Sequence, residues 1–482
     1  MNAELLHNLI IYQKKYFEII DDFFTKFVGK EVQHFSDFDS VALYLKSMYE
    51  NNKNNIFYFS RLNQIRSDFL DDLISLYKSE SAQAFRSAQE LDTFKVNLGG
   101  SSRFLATQLN AVRKSLLLTD VVLIPDPILP WVEKDRSEEK LKNIRMIEAI
   151  YFVLHLKDLL EEGFEVPPFF IFPSWEKILE ENDKQTKENL NNLLFEFLSF
   201  YLNYEINSEN DLIKYLSNNP ADFLRKVEEK SLFISPNGAG INSLKEAIVN
   251  YKNYAIEHRT KNWCDEHLVS DIHIVVNGIA ERLVPQFHLF ENAMEMKSNP
   301  YLCLPEHAHY YNLISKMSWS FRTENIVDKQ TDKILQVLCA QQLDFLVNIN
   351  DDELKMLRKS DEHILFKNEM RGFINSISTS KVEDINYVIK EFSDFLDIRI
   401  KRHINDLEVI KRKYRVKNIH TLMLAGGTLA VNFAPLLGQF MSVLGAGSVG
   451  MKYLGDKLDE KYELQKANSS YMGVIALAKT GK

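Results

Sequence analysis

The sequence predicts a mainly α-helical protein with a small α/β portion and a C-terminal helical hairpin built from small residues. Apolar residues recur at three- and four-residue intervals through most of the chain, which is the periodicity of helices that pack on a core. Two short apolar runs bounded by prolines lie between residues 120 and 175 and predict strands, most simply parallel ones. An uncharged run over 418–451 predicts the hairpin.

Length, charge and cysteine content narrow the class of protein. A chain of 482 residues, 45% of them apolar, accommodates roughly two to four domains. The formal net charge of −9 argues against general nucleic-acid binding, because phosphate contacts call for a basic surface. Three cysteines are too few for a disulfide framework, and the first residues do not have the pattern of a secretory signal. We therefore expect a cytoplasmic protein, with membrane association on activation as an alternative that depends on the uncharged C-terminal run over 418–451.

The first predicted domain covers residues 1–235 and begins with helices. Apolar residues at helical spacing run from Leu5 to Phe27, and Gly29 ends this first helix. Three further helices are predicted in this part, over 37–50, 63–78 and 102–118.

The α/β portion holds six of the twelve prolines. The runs 121–124 and 169–172 are short and β-prone, and a helix predicted over 137–162 joins them. A strand, a helix of this length and a second strand form a parallel crossover unit. Asp126 follows the first strand, where α/β folds place functional carboxylates, although its Pro-Asp-Pro sequence also suits a plain turn.

One loop before this portion has the composition of an anion site. Residues 98–102 are Leu-Gly-Gly-Ser-Ser and lead into a predicted helix. Backbone N–H groups at a helix N-terminus attract anions, whereas glycine and serine in this place also cap helices without any ligand. Both interpretations stay open at this point.

The second predicted domain covers residues 240–417 and is helical. A short strand is predicted at 232–234, just before the boundary, and Asn237-Gly238 forms a turn. Ser243 with Glu246 forms a capping box that opens the next helix. Helical spacing continues to a long helix over 382–415, and no fixed period indicates a solenoid.

Histidines and cysteines concentrate in the second domain. Cys264 with His267, and Cys303 with His307 and His309, are ligand types that zinc accepts. Structural zinc sites pair two short chelating steps at recognised separations, and these residues match no such spacing. We therefore expect no metal site here, and buried or surface histidines instead.

Arginine and histidine recur at a spacing that a nuclease can use. The pairs are Arg282 with His288, Arg358 with His363, and Arg415 with His420. This spacing resembles the short Arg-His pattern of the HEPN class of helical ribonucleases, which implies an arginine that stabilises phosphate charge and a histidine that exchanges a proton. Arg358 and His363 are the best-placed pair, because Pro285 is expected to interrupt the first one.

No cofactor is expected from the nucleotide-binding motifs. Residues 445–450, Gly-Ala-Gly-Ser-Val-Gly, match the dinucleotide fingerprint, but only 32 residues follow them, too few for the remaining strands of such a fold. The sequence has no P-loop, G-x-S-x-G, H-E-x-x-H or paired C-x-x-C motif.

The run 418–451 carries no Asp, Glu, Lys or Arg. Small residues at every fourth position form one ridge of a helix, where a second helix can approach closely. These residues are Gly426, Ala430, Ala434, Gly438, Ser442, Ala446 and Gly450. Pro435 divides the run into halves of roughly 24 Å, and a bilayer core needs about 30 Å. The third predicted segment, 418–482, is therefore a hairpin that is buried within the protein or an oligomer, or that enters a bilayer after a conformational change.

A basic flank precedes this run. Between residues 399 and 417, eight lysines and arginines stand against two acidic residues. The basic residues are Arg399, Lys401, Arg402, Lys411, Arg412, Lys413, Arg415 and Lys417. Such a flank suits the anionic cytoplasmic face of a membrane and also a solvated helix.

Three functional hypotheses follow from these features. The leading one is a cytosolic protein whose C-terminal hairpin mediates helix packing, self-association or regulated membrane insertion, which by analogy fits a bacterial phage-defence or cell-suicide effector. The second is a HEPN-like ribonuclease with Arg358 and His363 as catalytic residues. The third is a non-enzymatic scaffold. The corresponding partners are a second copy of the chain, a membrane contacted through 418–451, or another protein.

Overall fold

The computed structural model describes part of the chain. The described residues are 3–99, 105–117, 119–129, 139–160, 164, 166–173, 182–235, 243–259, 261–302, 307, 309–311, 313–314, 317, 351–360, 363–365, 368–369, 394–395, 397–399, 401–402 and 405. The chain divides into two compact units. The first comprises Met1–Val347 with Lys367–Ile389, and the second comprises Asn348–Phe366 with Lys390–Lys482.

The first unit begins with two long helices that pack against each other. α1 (Ala3–Val28) and α3 (Ile56–Glu90) enclose the shorter α2 (Phe38–Asn52) in sequence. The ring of Phe23 stacks on that of Phe69 at a centroid distance of 4.1 Å, and Lys15 forms an ion pair with Glu80. These two contacts make α1 and α3 antiparallel.

Local signals define the ends of the first helices as the sequence predicts. α1 stops before Gly29, whose φ of +82° is a left-handed conformation that glycine adopts without steric cost. Asp37 caps α2, because its carboxylate accepts a 2.7 Å hydrogen bond from the backbone N–H of Ser40.

Four short strands form one parallel sheet. They are β1 (Lys95–Leu98), β2 (Val121–Pro125), β3 (Phe169–Phe172) and β4 (Asn299–Tyr301). Their order is β3-β2-β1-β4, and each neighbouring pair is parallel. The helix α4 (Leu105–Ser115) connects β1 to β2, and α5 (Glu139–Leu156) connects β2 to β3. The predicted strands at 121–124 and 169–172, their parallel pairing and the helix between them are confirmed.

The sheet also contains two strands that the sequence analysis did not predict. β1 alternates apolar and polar residues over only four positions, and β4 has three residues, one of them a proline. β4 comes from the region assigned to the second domain, yet Gly99 donates a 2.9 Å hydrogen bond from its backbone N–H to the carbonyl of Tyr301. The predicted domain limits themselves stay predictions.

The strand predicted at 232–234 does not form. Leu232, Phe233 and Ile234 are buried, but their backbone lies in an irregular segment. In a sheet, the carbonyl of Leu232 would accept a hydrogen bond from a neighbouring strand. Here it accepts a 3.0 Å hydrogen bond from the hydroxyl of Tyr310 instead.

Six more helices complete the described part of the first unit up to β4. They are α6 (Asn182–Leu202), α7 (Glu209–Asn218), α8 (Pro220–Glu229), α9 (Leu244–His258), α10 (Lys261–His267) and α11 (Asp271–Glu295). The hydroxyl of Ser243 accepts from the N–H of Glu246 at 3.2 Å, which confirms the predicted N-cap of α9. α11 continues through Pro285, so the expected interruption at this proline was wrong. Packing on both sides offsets the hydrogen bond that a helix loses at proline.

α11 joins the sheet to a second apolar core. This helix contacts both β1 and β4. Its residues Leu283 and Leu289 also belong to a cluster with Phe197, Phe223 and Tyr310, drawn from the surrounding helices. α11 therefore places helical side chains against β1 and β4.

The second unit is described only in part. It contains α12 (Asp351–Lys359) and further helical residues between 363 and 405. The guanidinium of Arg399 lies 3.5 Å from the centroid of the Phe395 ring, and Lys401 and Arg402 are exposed. The basic-flank residues from Lys411 to Lys417, the small-residue ridge and the 445–450 sequence lie outside the described residues. No helix in the described ranges has both the length and the apolarity that a bilayer crossing needs.

Candidate functional site at the carboxyl end of the sheet

Asp126 occupies the position just past β2 and is buried against helices α1 and α3. The hydroxyl of Tyr16 donates a 2.8 Å hydrogen bond to its carboxylate, and the hydroxyl of Tyr77 donates a second one. The backbone N–H of Ile128 also donates to this carboxylate at 2.8 Å, as expected of an aspartate that forms a turn. Through these hydrogen bonds, Asp126 links α1 and α3 to the end of the sheet.

Burial controls the titration of this cluster. Removal from water raises the pKa of Asp126, and the hydrogen bonds from Tyr77, Ile128 and Tyr16 act in the opposite direction. Burial together with the nearby carboxylate raises the pKa values of Tyr16 and Tyr77 well above 10. Since Asp126 is only 3% exposed and its oxygens are occupied, we assign it a structural role in the fold.

The hydroxyl of Tyr12 makes no such bond. Tyr12 lies one turn before Tyr16 on α1, and its ring lies parallel to that of Phe172 in β3 at a centroid distance of 6.2 Å. Its oxygen is buried and has no hydrogen-bond partner in the described structure. Two tyrosines on the same face of one helix therefore differ in the one bond that matters for the cluster.

The described elements that follow β1 and β4 lie on opposite faces of the sheet, because α4 follows β1 and Tyr310 after β4 belongs to the apolar cluster of α11. The hydroxyl of Tyr301 in β4 donates a 3.0 Å hydrogen bond to the carbonyl of Ala111, so Tyr301 and its register partner Leu98 face α4. Gly99, the next residue after Leu98, faces α11 instead. In open parallel sheets, the place where neighbouring connections diverge in this way forms a crevice at the carboxyl ends of the strands, and ligands bind there.

Gly99, the residue after β1, packs closely against α11. A Cβ atom on Gly99 would lie 2.5 Å from Cδ2 of Leu289, so no larger residue fits without movement of this leucine. α4 begins six residues later, at Leu105. Residues 100–102 of the predicted anion loop lie outside the described residues, so the anion site stays a prediction.

Gln286 lies on α11 close to this crevice. Gln286 is three residues before Leu289 and therefore lies on the same side of the helix. Gln89, which precedes β1, donates a hydrogen bond to the carbonyl of Glu295 near the end of α11, so α11 runs antiparallel to β1. A rise of 1.5 Å per residue places Gln286 about 4.5 Å beyond the level of Gly99. Gln286 is 1% exposed, and neither its amide nitrogen nor its amide oxygen has a partner in the described structure.

An unsatisfied buried amide is costly and needs an explanation. Each unpaired polar atom costs about 1–3 kcal/mol. Gln286 was missed by the sequence analysis, although its position gives a signal. It is the polar member of an otherwise apolar stripe on α11, which consists of Ile279, Leu283, Gln286, Leu289 and Ala293.

Two more buried polar side chains lie in β1 and shortly after β4. Asn97 in β1 is two residues before Gly99 and so lies on the same face of the sheet, and its side-chain oxygen has no partner in the described structure. His307, six residues after β4, is 6% exposed, and its Nδ1 also has no partner there. Burial lowers the pKa of His307 to about 4, so its ring is neutral at physiological pH.

The predicted nuclease pair lies in the second unit and does not share one helix. α12 ends at Lys359, directly after Arg358. The hydroxyl of Ser360, the next residue, accepts a 3.2 Å hydrogen bond from the backbone N–H of His363. Nδ1 of His363 lies 3.0 Å from the carbonyl oxygen of Arg358, and His363 is 3% exposed. The geometry thus brings the histidine ring to the backbone of the arginine.

The Arg282–His288 pair does lie on one helix, α11, but the guanidinium of Arg282 contacts aromatic rings. The guanidinium of Arg282 lies between three aromatic rings, at centroid distances of 5.0 Å from Phe233, 5.2 Å from Tyr251 and 6.0 Å from Tyr310. These contacts explain the arginine as part of the core. Arg415 and His420 lie outside the described residues.

The residues considered for zinc do not form a site in the part of the chain that is described. Cys264 contacts the carbonyl of Ala255 through its sulfur, and the ring of His267 stacks on that of Trp263 at 4.5 Å. His309 contacts the carbonyl of Ser231 at 2.8 Å, and Cys303 is not among the described residues. Within the described ranges, no three His, Cys, Asp or Glu side chains gather closely enough to hold a metal ion.

Comparison of the chain with protein-family models, with curated proteins and with solved structures gives no match.

Proposed function

We propose that this protein binds a small phosphate-bearing ligand at the carboxyl end of the sheet, between β1 and β4. The observation that carries the proposal is that α4, which follows β1, and Tyr310, which follows the neighbouring strand β4, lie on opposite faces of the sheet. A divergence of this kind is where open parallel sheets bind ligands.

Two further features support this choice of ligand. The sequence between Gly99 and α4 contains Gly100, Ser101 and Ser102, which are small residues that let a phosphate approach backbone N–H groups at the start of a helix. Gln286 offers one donor group and one acceptor beside the same crevice, and both lack partners in the described structure. A ligand in this place would satisfy them.

Binding of inorganic phosphate, pyrophosphate, ADP and NAD to the full chain tests the proposal, measured by titration calorimetry. We expect at least one of these ligands to bind and Gln286→Leu to weaken that binding by about tenfold or more, because an apolar side chain leaves the ligand's polar group unpaired. Gln83→Leu makes the same chemical change at an exposed position of α3 and should have no effect. If no ligand of this panel binds, the proposal is wrong.

A second function is proposed on the sequence of the C-terminal segment. The uncharged run 418–451, with its ridge of small residues and its basic flank, supports helix packing, self-association or regulated membrane insertion. This function is independent of the ligand site, and the two can coexist in one chain.

Replacement of ridge residues tests this second function. Ala434→Leu and Gly438→Leu each put a large side chain where close helix approach needs a small one, so we expect loss of self-association in sedimentation and of leakage from anionic liposomes. Val431→Leu changes a residue of the same run off the ridge and is the control. Unchanged sedimentation and leakage in the ridge variants would exclude this role.

A further inference from the structure

Two large apolar side chains project into solvent at the start of α3. Ile56 is 82% exposed and Phe57 is 88% exposed. Tyr49, near the end of α2, is 38% exposed, and its ring contacts that of Phe59 at 5.4 Å. We call residues 49–57 the apolar tip.

The geometry of the long helices makes the apolar tip protrude. Phe23 lies against Phe69, so the end of α1 at Val28 lies beside a part of α3 about five residues before Phe69. The first eight or so residues of α3 therefore extend about 12 Å past the end of α1. The side chain of Asn55 caps α3 within the tip, because it accepts a 3.2 Å hydrogen bond from the N–H of Tyr58.

The charges around the tip are mainly positive. Lys46, Lys53 and Arg61 are exposed, and Glu50 is the acidic residue between them. The turn itself consists of asparagines around Lys53. This local balance is opposite to that of the whole chain, whose formal net charge is −9.

We propose that the apolar tip docks on an anionic lipid surface. Exposed phenylalanine and isoleucine enter the boundary between headgroups and acyl chains, while lysine and arginine beside them contact anionic headgroups. An apolar patch on its own would suit a protein partner equally well, and the positive charge around it favours the anionic surface. The proposal concerns the N-terminal part of the chain and does not depend on residues 418–451.

Co-sedimentation of the full chain with vesicles provides the first test. With vesicles of phosphatidylcholine and phosphatidylglycerol, we expect the double change Ile56→Ser and Phe57→Ser to weaken binding by about tenfold, because two buried apolar side chains are lost from the interface. Binding to pure phosphatidylcholine should be weaker for the unchanged protein. Ile213→Ser, at a position on α7 that is 53% exposed, is the matched control.

A local probe separates the tip from any other membrane contact of the chain. The variant Phe57→Trp should gain fluorescence that bromine-labelled lipids quench, and the fluorescence gained in Ile213→Trp should not be quenched. If the serine variants bind vesicles normally and the added fluorescence of Phe57→Trp is not quenched, the proposal is overturned. It is also overturned if the serine variants change only the sedimentation coefficient of the free protein, since the tip then contacts a second copy of the chain.

Discussion

The phenol of Tyr16 donates a 2.8 Å hydrogen bond to the carboxylate of Asp126, across the junction between the first helix and the end of the second strand. With Tyr77, this bond connects three elements that are far apart in the sequence. The neighbouring Tyr12 has the same side chain in the same buried layer without a partner in the described structure, so the two tyrosines form a natural comparison.

Tyr16→Phe should lower the free energy of unfolding by about 1–3 kcal/mol, because it removes a hydrogen bond to a buried carboxylate. Tyr12→Phe should change it by less than about 0.5 kcal/mol or raise it, since it removes only an unpaired hydroxyl. Urea unfolding followed by circular dichroism measures both values. Equal losses in the two variants would contradict the assigned role of the Tyr16–Asp126 bond.

His307 should make stability depend on pH between 6.5 and 4. Burial lowers its pKa from 6.5 to about 4, so in this range the unfolded chain binds a proton that the folded protein does not. The stabilising contribution is complete above pH 6.5 and is lost as the pH falls toward 4, by roughly 3 kcal/mol in total. His307→Phe should flatten the curve of unfolding free energy against pH in this range, and His273→Phe at an exposed site should not. Parallel curves for all three proteins would refute this assignment.

Gly99→Ala should destabilise the protein by about 1–3 kcal/mol, because the new methyl group meets Leu289 in a packed interior. Leu289→Ala alone should also destabilise it through the cavity that it leaves, by about 2–5 kcal/mol. In the double variant the smaller side chain at position 289 leaves space for the new methyl group, so the measured loss of stability should be smaller than the sum of the losses in the two single variants. Additive free energies of unfolding would argue against the contact between β1 and α11.

Gln286→Leu should raise the free energy of unfolding of the ligand-free protein by about 1–3 kcal/mol, since it replaces an unsatisfied buried amide with an apolar group of similar size. The opposite result, a loss of stability, would mean that the amide already has a partner such as a buried water. This measurement needs no ligand and is therefore independent of the binding experiment.

Local patterns were sufficient for most helices and for part of the sheet. The 3.6-residue periodicity of α1 and the glycine after it follow from neighbouring residues, and so do the proline-bounded strands β2 and β3. The same reasoning failed at 232–234, where an apolar β-prone segment finds its backbone partner in the side chain of Tyr310. It also failed at Pro285, which lies within a helix that packs on both sides.

Short-range patterns of residues predict the helical class, the crossover unit and the uncharged C-terminal run, because each depends on the order of residues over one or two turns or along one strand. The pairing of β1 with β4, and the position of Gln286 near their carboxyl ends, depend on how the whole chain folds. The physical reason is that these positions result from contacts between distant parts of the chain, such as the bond from Gly99 to Tyr301 and the packing of Leu289 on Gly99. No local periodicity encodes such contacts.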